Sequence, residues 1–147
     1  MLRALFTVMV VVFSLLSAPA LAHPKQKIAV VASRDSPLSV MNITQVRRYF
    51  LGVDSVLADG ERVTVLDQDW DAPISVQFYD AVAGMTMREV SVYWAKRVFS
   101  GLGTPPLRIK GGDTAIKEQL KSKPHAVGYI SAASVDAEVK VLLIIKP

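Results

Sequence analysis

Five consecutive residues, Asp67-Gln68-Asp69-Trp70-Asp71, set three carboxylates in alternation just ahead of Pro73, with Ser75 two positions further on. Alternating carboxylates suit an acid/base pair or the oxygen ligands of a hard cation. The run lacks the glycine and distal glutamate of a calcium loop, and an indole stands among its acids, so no metal site is expected. Asp71 reads as the N-cap of a helix that opens at Pro73. A second set of polar groups, Ser33, Ser36 and Ser39, follows an apolar run, at the end where open α/β sheets bind ligands; these are the best hydroxyl candidates. Gly111-Gly112-Asp113 could offer amides to an anion, but without the Lys-Ser/Thr ending of a P-loop it reads as a turn plus a cap. His23 and His125 have no cysteine, serine or carboxylate partner evident in the sequence and are expected in exposed turns. No nucleophile stands beside a base, so the expectation is no enzyme, no catalytic residue and no cofactor.

These groups need a scaffold. Lys27 to Ser33 is a continuous apolar, β-branched run, the pattern of a strand buried on both faces. Asn42 with Gln45 forms a capping box for a helix from about Ile43 to Leu51, ended by Gly52; Val46, Tyr49 and Phe50 face inward while Arg47 and Arg48 face solvent. After the Asp59-Gly60 turn, Arg62 to Leu66 alternates as a second strand. The Pro73 helix buries Ile74, Phe78 and Val82 and stops at Gly84. Thr86 and Glu89 box the next helix, with Val90, Tyr93, Trp94, Arg97 and Val98 as its stripe. Pro105-Pro106 leads to a short strand from Leu107 to Lys110, and Asp113 caps a helix carrying Ile116 and Leu120 that Pro124 ends. Val127 to Ile130 and Val139 to Ile145 are the last strands. The class is α/β with a mixed β-sheet flanked by helices.

The chain of 147 residues begins with a basic start to Arg3, an apolar stretch from Ala4 to Leu16, and Ala20-Leu21-Ala22. That order is an export signal, residues 1–22, cleaved after Ala22. The apolar stretch falls short of the ~20 residues of a spanning helix, so no stable membrane anchor is expected after cleavage. The expected mature domain, residues 23–147, has 125 residues, enough for one core, and its sixteen basic and thirteen acidic residues leave a formal charge of +3. Its scattered basic residues lack the aromatic interleaving or dense stripe of a nucleic-acid binder, so no nucleic acid is expected. There is no cysteine, hence neither a disulfide frame nor a lipid-bearing thiol; a soluble periplasmic protein fits best.

Three segments together resemble a known family: Ile28-Ala29-Val30-Val31 with Leu38-Ser39 and the helix ending Tyr49-Phe50-Leu51-Gly52; the strand and helix around Asp67 to Phe78; and Ala126-Val127-Gly128-Tyr129-Ile130 with the apolar strand after it. They are similar to one lobe of the periplasmic phosphate-binding proteins of ABC-type uptake systems. The resemblance implies a single lobe of a type II periplasmic-binding-protein-like fold and a substrate-binding-like protein that takes phosphate or another small anion weakly. In that family the strand corresponding to Val63 to Leu66 leads to a Ser-Gly-Thr turn that holds the anion. Here the stretch is Asp69 to Gln77 and has no Ser-Gly-Thr.

A helix N-terminus still offers amides and Ser75 a hydroxyl, while Pro73 removes a donor and the three aspartates oppose an anion. Ser33, Ser36, Ser39, Asp69, Trp70 and Ser75 are therefore the candidate ligand contacts. One lobe leaves a ligand half exposed, which implies a membrane transporter, a sensor protein or self-association to complete the cleft. The rival reading is a protein-interaction or sensory accessory module, docking through an exposed Trp70 and its neighbouring carboxylates.

Overall fold

Strand β1 (Ile28–Ser33) divides its side chains between two cores: Ile28, Val30 and Ala32 enter one, Ala29 and Val31 the other. That two-sided burial is why the run is apolar throughout rather than alternating. The computed structural model describes residues 23–147; the expected export segment, residues 1–22, lies outside the described residues. Among the described residues no helix is long and apolar enough to cross a membrane.

The other strands are β2 (Thr64–Asp67), β3 (Leu107–Arg108), β4 (Ala126–Ser131) and β5 (Val139–Ile145). They form one five-stranded sheet in the order β3-β2-β4-β1-β5. β2 runs parallel to β3 and β4, whereas β1 is antiparallel to both β4 and β5, so the sheet is mixed as expected. Two strands are shifted or shortened relative to the sequence reading. β2 starts two residues later than Arg62, which forms an isolated bridge with Val56, and extends to Asp67. β3 keeps only two of its four expected residues.

Helices α1 (Ile43–Phe50), α2 (Pro73–Ala83) and α3 (Met87–Phe99) cover one face, and α4 (Gly112–Lys121) covers the other with Ile116 and Leu120. Both predicted capping boxes are present: Asn42 with Gln45, and Thr86 with Glu89, each residue of the pair bonding the other's backbone. Gly84 ends α2 at φ 63°, a left-handed cap that a side chain would strain. The larger core centres on Phe78, whose ring stacks on Tyr129 at 3.9 Å and meets the edge of Phe50 at 4.6 Å. On α3 the stripe ends early: Val98 is half exposed, and Arg97 instead turns back to donate to the carbonyls of Gly52 and Leu102.

Two caps differ from expectation. Asp71 does not cap α2; the N-cap is Ala72, with no side-chain hydrogen bond. Asp113 lies inside the first turn of α4, behind Gly111 as N-cap.

Candidate functional site

β2 and β3 lie side by side and point the same way, and the amide of Ile109 donates to the Asp67 carbonyl at 2.8 Å. Beyond Asp67 the chain turns to α2 on one face; beyond Arg108 it turns to α4 on the other. Neighbouring parallel strands whose connections part to opposite faces open a crevice at their carboxyl ends, the usual ligand position in such sheets.

At that end of the sheet Asp67, the last residue of β2, is 1% exposed. Its Oδ2 accepts from the Trp70 indole Nε1 at 2.8 Å and from the Tyr79 hydroxyl at 2.7 Å. Its Oδ1 lies 2.6 Å from the Tyr129 hydroxyl. Tyr129 also meets Ser75 Oγ at 2.8 Å, and Ser75 Oγ donates to the Asp69 carbonyl at 2.8 Å. None of the ion pairs among the described residues involves Asp67. Burial raises its pKa, outweighing the bonds from Tyr129, Tyr79 and Trp70 that favour the charged form. The same burial drives the Tyr79 and Tyr129 hydroxyls above their ordinary values.

At the end of β3 the Arg108 guanidinium lies 4.0 Å from the centroid of the Trp70 ring. This is a cation–π contact, and its planar fork has no carboxylate partner among the described residues. On the inner side Gln68 Nε2 donates to Asp113 Oδ1 at 2.9 Å and to the Tyr129 carbonyl at 3.0 Å. Asp113 Oδ2 accepts from the Ser131 amide at 3.1 Å and the Ser134 hydroxyl at 2.6 Å. The acid expected to cap α4 therefore ties the ends of β2 and β4 to that helix.

The six candidate contacts do not converge. Asp69, Trp70 and Ser75 belong to the turn after β2. Ser33, Ser36 and Ser39 follow β1, which runs antiparallel to β4, so they lie at the other end of the sheet. Ser36 is 4% exposed: its Oγ accepts from the Leu38 amide at 3.2 Å and its carbonyl from Lys140 Nζ. Ser39 is exposed and Ser33 partly so. Ser75 is fully buried, its hydroxyl engaged by Tyr129 and Asp69. Trp70, expected to be exposed for docking, is half-buried between Asp67 and Arg108.

Arg108 and Tyr79 were not singled out by their sequence positions, while Gln68 stood within the acidic run, Asp113 as a helix cap and Tyr129 within the family-like strand, none of them as a candidate contact. Tyr129 carried the clearest signal, since a tyrosine within a strand buried on both faces needs a partner for its hydroxyl. Arg108 carried none: it is one basic residue at the end of a two-residue strand.

No protein-family model matches the sequence, and no curated protein matches it. Among solved structures, the chain is similar to an ABC-type phosphate transport receptor from Vibrio cholerae, with a TM-score of 0.64 and 21% identity over 80% of this chain and 45% of that one. It is also similar to a protein from Clostridium perfringens, assigned as a phosphate ABC transporter substrate-binding protein and solved with bound phosphate. That likeness has a TM-score of 0.63 and 19% identity over 80% of this chain and 44% of that one. A possible phosphate binding protein from Planctomyces limnophilus gives a TM-score of 0.59 at 10% identity, covering 83% of this chain and 45% of that one. The described chain has the fold of a single lobe of such substrate-binding proteins and spans less than half the length of those it matches.

Proposed function

We propose that this chain is an exported, non-enzymatic binding protein that takes a small anion such as phosphate weakly at the crevice between β2 and β3, in connection with ABC-type transport. The observation that carries this reading is Arg108: a guanidinium with no ion-pair partner among the described residues, 4.0 Å over the Trp70 ring, where two parallel strands end. The contact with the ring uses the face of the cation and leaves its N–H groups to an oxyanion, the chemistry that guanidinium groups offer to phosphate. The fold shared with one lobe of phosphate-binding proteins supports the same ligand class.

Trp70 is the sequence-expected contact that lies beside Arg108, and Asp69 precedes it in the same turn. A carboxylate there accepts a hydrogen bond only from an anion that still carries a hydrogen, which favours phosphate over sulfate at neutral pH. Affinity is low because a single lobe covers a ligand on one side; a membrane transporter component or a second copy supplies the rest of the cover. Residues 1–22 direct export to the periplasm and are removed after Ala22, which N-terminal mass analysis of the secreted protein checks by finding His23 first.

The test is calorimetric titration of protein purified from cells expressing the full chain, with phosphate and with sulfate at low salt. Saturable heat with phosphate, weaker heat with sulfate, and loss of the phosphate signal in Arg108→Ala are expected. Flat traces for both ions remove the anion reading.

A further inference from the structure

The polar chain beneath the crevice is short of one proton. Five contacts join its oxygens and nitrogen: Trp70 Nε1 to Asp67 Oδ2, Tyr79 Oη to Asp67 Oδ2, Tyr129 Oη to Asp67 Oδ1, Tyr129 Oη to Ser75 Oγ, and Ser75 Oγ to the Asp69 carbonyl. Each contact needs a hydrogen between its heavy atoms. The indole, two phenols and one hydroxyl supply only four. With Asp67 ionised, one of three pairs would face each other lone pair to lone pair inside the protein, where water cannot relieve them: Asp67 Oδ1 and Tyr129 at 2.6 Å, Tyr129 and Ser75 at 2.8 Å, or Ser75 and the Asp69 carbonyl at 2.8 Å.

We infer that Asp67 is held as a neutral carboxylic acid, its proton on Oδ1 starting a one-directional relay from Asp67 through Tyr129 and Ser75 to the Asp69 carbonyl. In that arrangement Oδ1 donates to Tyr129, Tyr129 to Ser75, and Ser75 to the carbonyl, while Oδ2 keeps the indole and Tyr79 as donors. Every contact is then filled once. The surroundings agree with the count. Tyr79 reaches Asp67 from α2, Tyr129 from β4 and Trp70 from the turn, and all three are neutral. Arg108 on β3 lies over Trp70 rather than in an ion pair with Asp67, and Asp113 on α4 is occupied by Gln68, Ser131 and Ser134.

Ser75 is thereby a positioning residue: it takes the Tyr129 proton and so obliges Asp67 to keep its own. The consequence for the crevice, which alone rests on the proposed anion reading, is that the turn under Arg108 carries one negative charge fewer than its sequence implies. A neutral Asp67 lowers the repulsion an incoming anion would meet there.

Carbon-13 NMR of the protein with labelled aspartate, purified from cells expressing the full chain, tests this. At neutral pH one carboxyl resonance is expected in the protonated position and is absent from Asp67→Asn. In Ser75→Ala the Tyr129 proton is free to turn to the carboxylate, so the same resonance titrates lower by about one pH unit or more. If Asp67→Asn does not fold, that Ser75→Ala displacement identifies the resonance. Finding every aspartate ionised at neutral pH overturns the inference, as does a protonated resonance that Ser75→Ala leaves unmoved. Absent phosphate heat alongside a protonated Asp67 would remove the anion reading and leave the proton where it is.

Discussion

At the scale of single residues, the chemistry of this protein turns on how a buried acid is satisfied. Asp67 sits at the carboxyl end of β2, 1% exposed, with two phenols and an indole around it and no cation in contact among the described residues. Because its pKa in the folded state is raised above the unfolded value, the folded protein holds this proton more tightly than the unfolded chain does. Its contribution to stability is therefore fully present below about pH 4 and is lost as pH rises through the raised pKa. Asp54, Glu89 and Asp136 have lowered values from their own bonds and act in the opposite sense at the surface. Subtracting a variant isolates the buried group: in urea unfolding at a series of pH values, the stability of the native chain minus that of Asp67→Asn should fall as pH rises. A flat difference would mean that Asp67 has the same proton affinity folded and unfolded.

At the scale of elements, the helix starts show which local signals carry their own energy. α1 and α3 open on complete capping boxes, whereas α2 opens on Ala72 with no side-chain acceptor and with Pro73 at its first position. Ser75 Oγ, whose donor bond goes back to the Asp69 carbonyl, braces that turn in place of a cap. Asn42→Ala should cost about 1 kcal/mol in chemical unfolding, and Ala72→Ser should add roughly 0.5–1 kcal/mol by supplying the missing acceptor. No gain from Ala72→Ser would show that the turn before α2 already satisfies its amides.

Gly52 is a second local constraint: at φ 65°, an added Cβ would lie 2.6 Å from the Trp94 ring, so the end of α1 and the middle of α3 can meet only over a glycine. Gly52→Ala should lower the unfolding midpoint while leaving the crevice between β2 and β3 intact. Parallel loss of phosphate heat would instead tie α1 and α3 to the site.

Taken as a whole molecule, the mixed sheet separates what the linear order suggests should be close. β2, β3 and β4 share a direction, so Asp67, Arg108 and Ser131 come to one edge; β1 runs the other way and carries Ser33, Ser36 and Ser39 to the far edge. A small anion cannot bridge the two ends of a six-residue strand, roughly 17–20 Å. Replacing Ser33 and Ser39 together by alanine should therefore leave any phosphate heat unchanged, while Arg108→Ala abolishes it. Loss of binding in the serine pair would move the site to the opposite end of the sheet.

Local sequence determined much of this protein. The two-sided burial of β1, the capping boxes at Asn42 and Thr86, the stop at Gly84 and the α/β class all follow from periodicity and from residues a few positions apart. The resemblance to one lobe of phosphate-binding proteins was likewise carried by short segments in order, and the fold agrees with it. What only the tertiary structure decided is strand direction and the partners of side chains far apart in the chain. Tyr129 is 62 residues from the acid it meets, and Gln68 is 45 residues from Asp113. Hydrophobic pattern is the same whether a strand runs up or down, so β1 looked as though it aimed its serines at the ligand edge. The antiparallel pairing with β4 and β5 placed them at the other, away from Asp67, Trp70 and Arg108.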